Sequence, residues 1–359
     1  MKDVAAEAGV AAMTVSYTFN HPSRVAEATR TRVLEAAARL GYRRPDATAR
    51  ALRSGRTGQI GVVIGEHLSY AFDDPQAAQF LAGVADVCVD AGVGMVLIPT
   101  HGHPVRADAA EQAGHEVAAG DVDRVLAAAV DGYVLWTTTI DDPILAAVAS
   151  SGLPASIQGG PHHPGITCIS PDDRAAAAAV ATAALAAAAS STTRPVPVVL
   201  SFPLDHDRQP ALLHGRHLAA DLAAIRFPVT AHRLAGYRDA LTANGYRWDE
   251  TLIAVAARNH RAHGQHAIRA LLKQASQWPP LLVLAMSDEL ALGALDVLHP
   301  TGHTVRAAGW DATPAGRAAG ITSVTNPLRH QGRLCARAIL DTPPSTDDGI
   351  VWEVVKPAR

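Results

Sequence analysis

The stretch DVAAEAGVAAMTVSYTFN, residues 3–20, decides how the start of this chain folds. Its apolar residues recur at helical spacing on either side of Gly9, first Val4, Ala5 and Ala8, then Val15 and Phe19. Each half therefore predicts a short helix with one apolar face. Gly9 falls where a tight turn needs a residue without Cβ strain. The pattern indicates a helix-turn-helix, in which the second helix can enter the major groove of DNA.

A third apolar pattern follows over about residues 27–40 and ends at Gly41, a residue type common just past a helix C-terminus. Three such helices can close a small core and leave one face of the second helix outside. The side chains between the apolar positions of that helix would then face the groove: Ala12, Met13, Thr14, Ser16, Tyr17 and Asn20.

Charge is distributed unevenly along the chain. Residues 1–56 carry ten Lys or Arg and five Asp or Glu, a net charge of +5, whereas the remainder has 21 against 29, a net charge of −8. A basic head on an acidic body is typical of a protein that binds phosphate backbones with one end. An ordinary solvated helical surface is the alternative explanation of the same charges.

The length of 359 residues and a hydrophobic content of 48% suit two or three globular domains. No run of eighteen apolar residues occurs, and the N-terminus lacks the pattern of a signal peptide, so we expect a cytoplasmic protein. The cysteines Cys88, Cys168 and Cys335 are isolated from one another in sequence. They therefore predict buried thiols in place of a disulfide framework or a structural zinc site.

From residue 60 onward, short apolar runs alternate with helical patterns. The first set of runs covers 60–65, 94–99, 131–136 and 154–158, and the second covers 197–202, 252–256, 280–286 and 305–310, with a last strand at 350–355. Such alternation predicts parallel sheets covered by helices, and two sets predict two Rossmann-like lobes. The alanine-rich run 174–190 is predicted to be a helix packed closely on a sheet, because alanine has the highest helix propensity.

These motifs together resemble the lac repressor (LacI/GalR) family of bacterial transcription regulators. The similarity runs from residues 3–42, through an A-x-x-L pair at Ala49 and Leu52, to landmarks of the body at 57–64, 233–241, 283–295, 307–311 and 323–332. The resemblance implies an all-α helix-turn-helix domain at 1–43, a hinge helix and linker at 44–57, and a periplasmic-binding-protein-like α/β core at 58–359. It assigns about 58–160 and 288–325 to the N-lobe and about 161–287 and 326–359 to the C-lobe.

For the head, the resemblance implies double-stranded, palindromic operator DNA as the partner and a homodimer or tetramer as the working unit. Thr14, Ser16 and Asn20 match positions that contact the backbone, and Ala12, Met13 and Tyr17 match positions that read base edges. The hinge residue Leu52, with Ala49 beside it, would wedge into the minor groove. Arg24 and Thr29 complete the implied DNA-binding set.

For the body, the resemblance implies a small-molecule effector, a sugar or sugar derivative, between the lobes. Arg233 and Asp311 match residues that hold polar groups of effectors, since each can address two neighbouring oxygens. A structural salt bridge or helix cap is the alternative role for both. Further cleft positions are Asp288, Gln158, Asn326, Asn259 and Phe72. Ser69, Tyr70 and Phe72 fall where the cleft wall of the family begins, and an aromatic side chain there either stacks on a sugar face or packs in the core.

The head departs from the family pattern at its DNA face. Alanine stands at residues 11 and 26, where the family usually has serine caps, and each lost cap costs about 1 kcal/mol. Tyr17 replaces an arginine that would pair with guanine, so we expect a different operator preference at that base. The chain opens only two residues before Asp3, which suggests either a start codon placed too late or a head with weakened DNA binding.

Other classes of protein find less support in the sequence. His260, His263 and His266 share a helical face, but no carboxylate or cysteine accompanies them, so we predict neither a metal nor a cofactor. No enzyme motif is complete, and we predict no enzyme activity. The remaining alternative to a ligand-controlled repressor is a sugar-binding module with a weakened or non-functional head.

Overall fold

The computed structural model describes residues 1–42, 55–101, 120–188, 193–218, 222–275, 277–340 and 350–357. It divides the chain into two compact units, Met1–Gly58 and Gln59–Arg359. The predicted hinge residues Ala49 and Leu52 lie outside the described residues. None of the helices in the described ranges is long and apolar enough to cross a membrane.

Within residues 1–42, the first unit forms the α-helices α1 (Lys2–Ala8), α2 (Ala12–Asn20) and α3 (Glu27–Arg39). Gly9 ends α1 in the left-handed region at φ 63°, as its position in the turn requires. Val4, Val15 and Val33 are almost completely buried where the helices meet. The helix-turn-helix prediction and its third, closing helix are confirmed.

The first sheet of the second unit is entirely parallel, with the order β2-β1-β3-β4-β5. Its strands are β1 (Gln59–His67), β2 (Gly94–Thr100), β3 (Tyr133–Leu135), β4 (Ala155–Gln158) and β5 (Thr167–Ile169). The helices that accompany it are α4 (Leu68–Asp73), α5 (Pro75–Ala91) and α6 (Pro143–Ser150), and residues 120–127 are also helical.

The second sheet has the order β12-β11-β10-β9-β6-β8-β7. Its strands are β6 (Val196–Ser201), β7 (Ala211–His214), β8 (Leu252–Val255), β9 (Leu281–Ala285), β10 (Val305–Trp310), β11 (Thr322–Val324) and β12 (Val354–Val355). Its central pairs are parallel, and only the edge strands β7 and β12 pair antiparallel with their neighbours. All residues of β9 are buried, as expected for a strand covered by helices on both faces.

Helices cover this sheet and connect it to the first. They are α7 (Asp173–Ala188), α8 (Pro228–Ala243), α9 (Arg261–Leu272), α10 (Asp288–Leu298), α11 (Pro314–Ala318) and α12 (Leu328–Ile339). The alanine-rich run forms α7, as predicted, and it packs against α8 and the second sheet. The small side chains permit a close approach, since Gly236 of α8 lies against the backbone of α7 at Arg174 and Ala178.

The structure places three segments after residue 160 in the other lobe from the one predicted. Strand β5 pairs with β4 in the first sheet, whereas β10 and β11, within 288–325, belong to the second sheet. Helix α12, assigned by the sequence to the C-lobe, packs instead on α5 of the first lobe. The apolar face of α12, which includes Leu328, Cys335 and Ile339, is buried there. Hydrophobic patterning identifies an apolar face but not the sheet that covers it.

The contact between α5 and α12 depends on two glycines. A Cβ at Gly83 would overlap the backbone oxygen of Arg329, and a Cβ at Gly332 would overlap that of Phe80. On the exposed side of the same contact, Asp86 of α5 accepts hydrogen bonds from both Arg329 and Arg333 of α12. The two helices are therefore held at backbone contact distance, with an ion pair outside and an apolar core inside.

Replacing Gly83 with alanine should destabilise the second unit by about 1–3 kcal/mol, the cost of overpacking an interior that cannot relax. Urea unfolding followed by tryptophan fluorescence measures this change. Gly120 is the matched control, because a Cβ there meets no atom within 4 Å. Equal stability of Gly83→Ala and Gly120→Ala would contradict the packing described for α5 and α12.

Candidate functional site

The outward face of α2 carries the predicted DNA-reading residues. Ala12 and Met13 are exposed, with 62% of the Met13 surface accessible, and Thr14, Ser16 and Tyr17 are partly exposed. Burial of Val15 and Thr18 on the opposite side fixes which face of α2 turns outward. The ring of Tyr17 also makes an edge contact with His21, with the centroids 6.1 Å apart.

The other predicted DNA contacts have different positions. Arg24 is exposed in the turn after α2, and Thr29 is partly buried in the first turn of α3. The side chain of Asn20 lies outside the described residues. Ala11 and Ala26 occupy the N-cap positions of α2 and α3 without a side-chain hydrogen bond, as the sequence predicted. A basic helical head with one solvent-facing row of small, polar and aromatic side chains can approach a phosphate backbone and a base edge.

A cleft opens between the two lobes of the second unit, at the carboxyl ends of their parallel strands. The space within it, open mouth included, is about 720 Å³. Parallel α/β sheets commonly bind small ligands at this edge. Five of the predicted effector residues line the cleft: Arg233, Asp311, Gln158, Asn326 and Asn259.

Arg233 lies in the cleft wall with only 5% of its surface exposed. Its Nε donates to Asp173 Oδ1 at 2.8 Å, and its Nη1 donates to the Met286 carbonyl oxygen at 2.6 Å. The guanidinium carbon stands 3.6 Å from the centroid of the Trp310 ring. Arg233 thus forms the structural salt bridge that was its alternative role, and it does so while lining the cleft.

Asp311 follows β10 in a strained backbone conformation. Its φ is 91° and that of the next residue, Ala312, is 45°, a region that side chains with a Cβ rarely adopt. Asp311 N–H donates to the Val324 carbonyl oxygen at 2.7 Å, and Ala312 N–H donates to Ser323 Oγ at 2.9 Å. Strained residues that surrounding bonds hold in place are frequent at binding sites, and here the strain turns the Asp311 side chain into the cleft.

Burial raises the pKa of Asp311 to about 8. The nearby carboxylates of Asp288 and Asp74 raise this pKa further, while the charge of Arg233 and a hydrogen bond from Asn326 lower it. Desolvation dominates because Arg233 is already paired with Asp173. Asp311 can therefore exist as a neutral acid or as a carboxylate near neutral pH.

Asp288, which the sequence predicted to contact the effector, is buried and does not line the cleft. Its fully buried carboxylate accepts hydrogen bonds from Thr313 N–H at 2.7 Å, Thr313 Oγ1 at 2.9 Å and Ser323 Oγ at 2.8 Å. These bonds hold the strained turn after β10. Burial raises the pKa of Asp288 while the same three bonds oppose that effect. Asp288 positions Asp311 and is separated from the cleft by that turn.

Phe72 was also predicted in the cleft wall, but its side chain is 64% exposed and does not line the cleft. Helix α4 buries Ala71 instead, which turns Phe72 outward. The side chains of Ser69 and Tyr70 lie outside the described residues. Aromatic surface comes from three residues that the sequence interpretation had not selected, Trp136, Phe202 and Phe227. Phe80 packs edge-on against Trp136, with the ring centroids 4.9 Å apart.

Asp74 joins the two lobes at one side of the cleft. Its Oδ1 accepts hydrogen bonds from the Gln76 backbone at 2.9 Å, as the N-cap of α5, and from Asn259 Nδ2 in the second lobe at 3.1 Å. Burial raises the pKa of Asp74. The sequence signal was an aspartate followed by proline at the first position of a helix, which indicates a cap but not a contact between lobes.

A second contact between the lobes lies at the exposed side of the cleft. Arg226 of the second lobe forms an ion pair with Asp141 of the first, and its carbonyl oxygen accepts a 2.9 Å hydrogen bond from Ile140 N–H. The guanidinium holds the pKa of Asp141 below its ordinary value. The two lobes are therefore joined at Asp74–Asn259 and at Asp141–Arg226.

A line of side-chain hydrogen bonds also joins the lobes. Gln158 Nε2 donates to Gln331 Oε1 at 3.0 Å, Gln331 Nε2 donates to Asn326 Oδ1 at 2.8 Å, and Asn326 Nδ2 donates to Asp311 Oδ1 at 3.3 Å. Gln331, on α12, is fully buried. The sequence interpretation missed it, because a glutamine on the apolar face of a helix gives no signal of its partners.

Thr137 completes the polar lining from the first lobe. Its Oγ1 is buried and has no hydrogen-bond partner among the described residues, and the residue lines the cleft. A buried hydroxyl without a partner costs free energy that a ligand can recover. The cleft therefore combines aromatic surface with hydroxyl, amide and carboxylate groups, a set suited to a small ligand with several hydroxyls.

The histidines His260, His263 and His266 belong to the start of α9. His260 Nδ1 accepts a hydrogen bond from Ala262 N–H at 3.1 Å and so caps the helix. Desolvation, together with the charge of Arg258 and the neighbouring histidines, lowers the pKa of His263. Across the described residues, no group of three or more His, Cys, Asp or Glu side chains is arranged to hold a metal ion.

Comparison with known proteins identifies relatives of both units. A family profile described as bacterial regulatory proteins, lacI family, matches residues 1–45. A second, described as periplasmic binding proteins and sugar binding domain of LacI family, matches residues 73–312. An HTH-type transcriptional regulator of Mycobacterium tuberculosis is 31% identical over 350 residues, 96% of this chain and 91% of the relative.

Solved structures show the same similarity. A LacI-family transcriptional regulator from Corynebacterium glutamicum superimposes with a TM-score of 0.69 at 26% identity, over 99% of this chain and 97% of that one. A complex of the transcriptional regulator CelR with cellobiose superimposes with a TM-score of 0.61 at 26% identity, over 95% and 91%. The two-lobed α/β core with an N-terminal helix-turn-helix, predicted from the sequence, is thereby confirmed.

The raised pKa of Asp311 makes stability depend on pH. The folded state binds the Asp311 proton more tightly than the unfolded chain, whose aspartates titrate near pH 4. The stability that the protonated Asp311 contributes is fully present at acidic pH, and it is lost as the pH rises toward about 8. The side chain of Asp311→Asn cannot ionise. As the pH rises from 5 to 8.5, the Tm of this variant should therefore increase relative to that of the parent protein. A gap of several degrees is expected, since 1 kcal/mol corresponds to about 2–4 °C in larger domains.

Differential scanning calorimetry across this pH range measures the gap. The same substitution at Asp90, an exposed aspartate of α5, is the matched control and should not alter the pH dependence. A constant Tm difference between Asp311→Asn and the parent protein at every pH would refute the raised pKa.

Proposed function

The chain belongs to the lacI family of bacterial regulatory proteins, and we propose that it is a transcription repressor whose affinity for operator DNA is controlled by a sugar bound in the cleft. The observation that carries the proposal is the cleft itself, which holds hydrogen-bonding groups from both lobes beside aromatic surface. A relative with 26% identity forms a complex with cellobiose. Curated relatives are HTH-type transcriptional regulators, which supports a regulatory role without catalysis.

The proposed effector site combines groups from the two lobes. Gln158 and Thr137 come from the first lobe, and Arg233, Asp311 and Asn259 come from the second, with Asn326 between them. A ligand that contacts both sides binds more tightly when the lobes have one particular separation. It can therefore shift the population of lobe arrangements by its differential affinity for them. That shift is the means by which the sugar would control the head.

The proposed DNA site is the outward face of the head. Ala12, Met13 and Tyr17 would meet base edges, while Thr14, Ser16, Asn20, Arg24 and Thr29 would meet the backbone. Ala49 and Leu52 would enter the minor groove from the linker, within a domain division of 1–43, 44–57 and 58–359. A palindromic operator requires two heads, so the working unit is proposed to be a homodimer or a pair of dimers. A DNA-binding repressor acts at the chromosome, which makes the cytoplasm its proposed location.

The full chain should select a DNA sequence from a random pool and bind it with an affinity that falls steeply with salt. Tyr17→Phe should relax the preference at one base position by about 1–3 kcal/mol, if its hydroxyl reads that base. Arg24→Ala should weaken binding to all sequences alike and lower the salt slope by about one unit. Fluorescence anisotropy between 50 and 300 mM salt measures both effects.

Tyr246→Phe is the matched control for Tyr17→Phe, because Tyr246 lies in the second unit, where Arg194 stacks on its ring. It should leave DNA binding unchanged. If the full chain binds no DNA selectively, the repressor proposal fails and the sugar-binding module with a non-functional head takes its place.

A further inference from the structure

The line of side-chain hydrogen bonds between the lobes runs from Gln158 through Gln331 and Asn326 to Asp311, and all of its bonds are donated in the same direction. Gln158 ends β4 of the first lobe, Gln331 lies on α12, Asn326 precedes α12, and Asp311 follows β10 of the second lobe. Each of the three amides donates toward Asp311, which accepts at the end of the line. This direction is the one that a negatively charged Asp311 requires, since a carboxylate can only accept.

The direction of this line determines what Gln158 offers to a ligand. A side-chain amide has a donor end and an acceptor end. Because Gln158 uses Nε2 to reach Gln331, its Oε1 is turned away from that bond, and Gln158 is one of the residues that line the cleft. While Asp311 is charged, Gln158 therefore presents a hydrogen-bond acceptor to the ligand.

A proton on Asp311 permits the reverse arrangement, because a neutral carboxyl group has an O–H donor that a carboxylate lacks. Its hydroxyl can donate to Asn326 Oδ1, after which Asn326 Nδ2 donates to Gln331 Oε1 and Gln331 Nε2 donates to Gln158 Oε1. Each step is a flip of one amide about its terminal bond, with no change in backbone. The proton stays on Asp311, and the outcome is that Gln158 turns Nε2, a donor, away from the line. Gln331 must transmit the reversal, because it is the member that bonds both to Gln158 and to Asn326.

We propose that Gln331 is a positioning residue that relays hydrogen-bond polarity between the lobes, so that the charge state of Asp311 decides whether Gln158 offers an acceptor or a donor to a ligand hydroxyl. The proposal rests on the proposed function only in taking the cleft as the ligand site. Hydroxyl groups suit such a site because each can donate or accept. A ligand group that can only accept would bind best while Asp311 is neutral.

The surroundings of Asp311 allow both charge states. Arg233 and Tyr237 face it from α8, Asp288 from α10 and Asp74 from the start of α5. The positive charge of Arg233 favours the charged form of Asp311, although Arg233 is also paired with Asp173. The negative charges of Asp288 and Asp74 favour the neutral form. Burial raises the pKa of Asp311 to about 8, so both directions of the line are accessible within one pH titration.

Nuclear magnetic resonance of the full chain without ligand or DNA tests the relay. Glutamine and asparagine side-chain amides are labelled with ¹⁵N, and aspartate carboxyl groups with ¹³C, and the protein is titrated from pH 6 to pH 9. The amide resonances of Gln158, Gln331 and Asn326 should shift with one common midpoint, that of the Asp311 carboxyl carbon. In Gln331→Met, an unbranched apolar replacement, Asn326 should still shift with Asp311, whereas the shift of Gln158 should be lost.

Two controls keep the result interpretable. Gln265→Met replaces a glutamine of α9 that bonds to Asp296, outside the line, and should leave the Gln158 titration intact. Asp311→Asn removes the titrating group from the other end and should abolish the shift in all three amides. It shows whether Asp311 is the titrating group, and a Gln158 shift that persists in this variant overturns the relay even if Gln331→Met fails to fold.

A Gln158 resonance that does not move in the parent protein would overturn the relay, as would one that moves equally in Gln331→Met or Asp311→Asn. The repressor proposal would survive each of these results, because neither DNA nor sugar is present in the experiment. Conversely, the chain could show the relay by NMR and yet bind no DNA. That combination would support the relay and reject the repressor proposal.

Discussion

The burial of charge beside the cleft is the constraint on which the rest of the second unit depends. Arg233 is buried and Asp311 is partly buried in the cleft wall, and each charge would be costly if it stood alone. Arg233 is compensated by Asp173, the Met286 carbonyl and the Trp310 ring. Among the described residues, the side chain of Asp311 accepts one long hydrogen bond, from Asn326, and burial raises its pKa to about 8. Arg233 is therefore held in its charged form by its partners, whereas Asp311 can be charged or neutral near neutral pH.

Asp311 lies in the turn after β10, where the backbone has an unusual conformation. Two successive residues with positive φ, Asp311 and Ala312, are retained because Asp288 and Ser323 satisfy the polar groups of the turn. The bonds from Asp311 then continue through Asn326 and Gln331 into the first lobe. A ligand in the cleft would contact groups of both lobes that are already connected, which is how we propose that occupancy is coupled to the lobe arrangement.

Much of this could be predicted from the sequence, because local periodicity fixes local structure. The three-helix head, the alanine-rich α7 and the eight main strands followed from spacing alone, and Arg233 and Asp311 followed from resemblance. Strands β5 and β11 were not predicted, because each has three residues that include polar side chains, so neither forms an apolar run. The sequence assigned α12 to the wrong lobe, because an apolar helical face can pack against either sheet. Asp288, Phe72 and Gln331 were misjudged or missed for a similar reason: the role of a side chain depends on partners far away in sequence.

Reciprocal coupling between sugar and DNA is the most direct test of the account. A sugar that raises the Tm of the protein, found in a screen of neutral sugars that begins with cellobiose, is added to the complex with selected DNA, and both affinities are measured by anisotropy and calorimetry. The sugar should weaken DNA binding by about 5–150-fold, and bound DNA should weaken sugar binding by the same factor, as linkage requires. A sugar that binds in the cleft and leaves the DNA affinity unchanged would contradict the account.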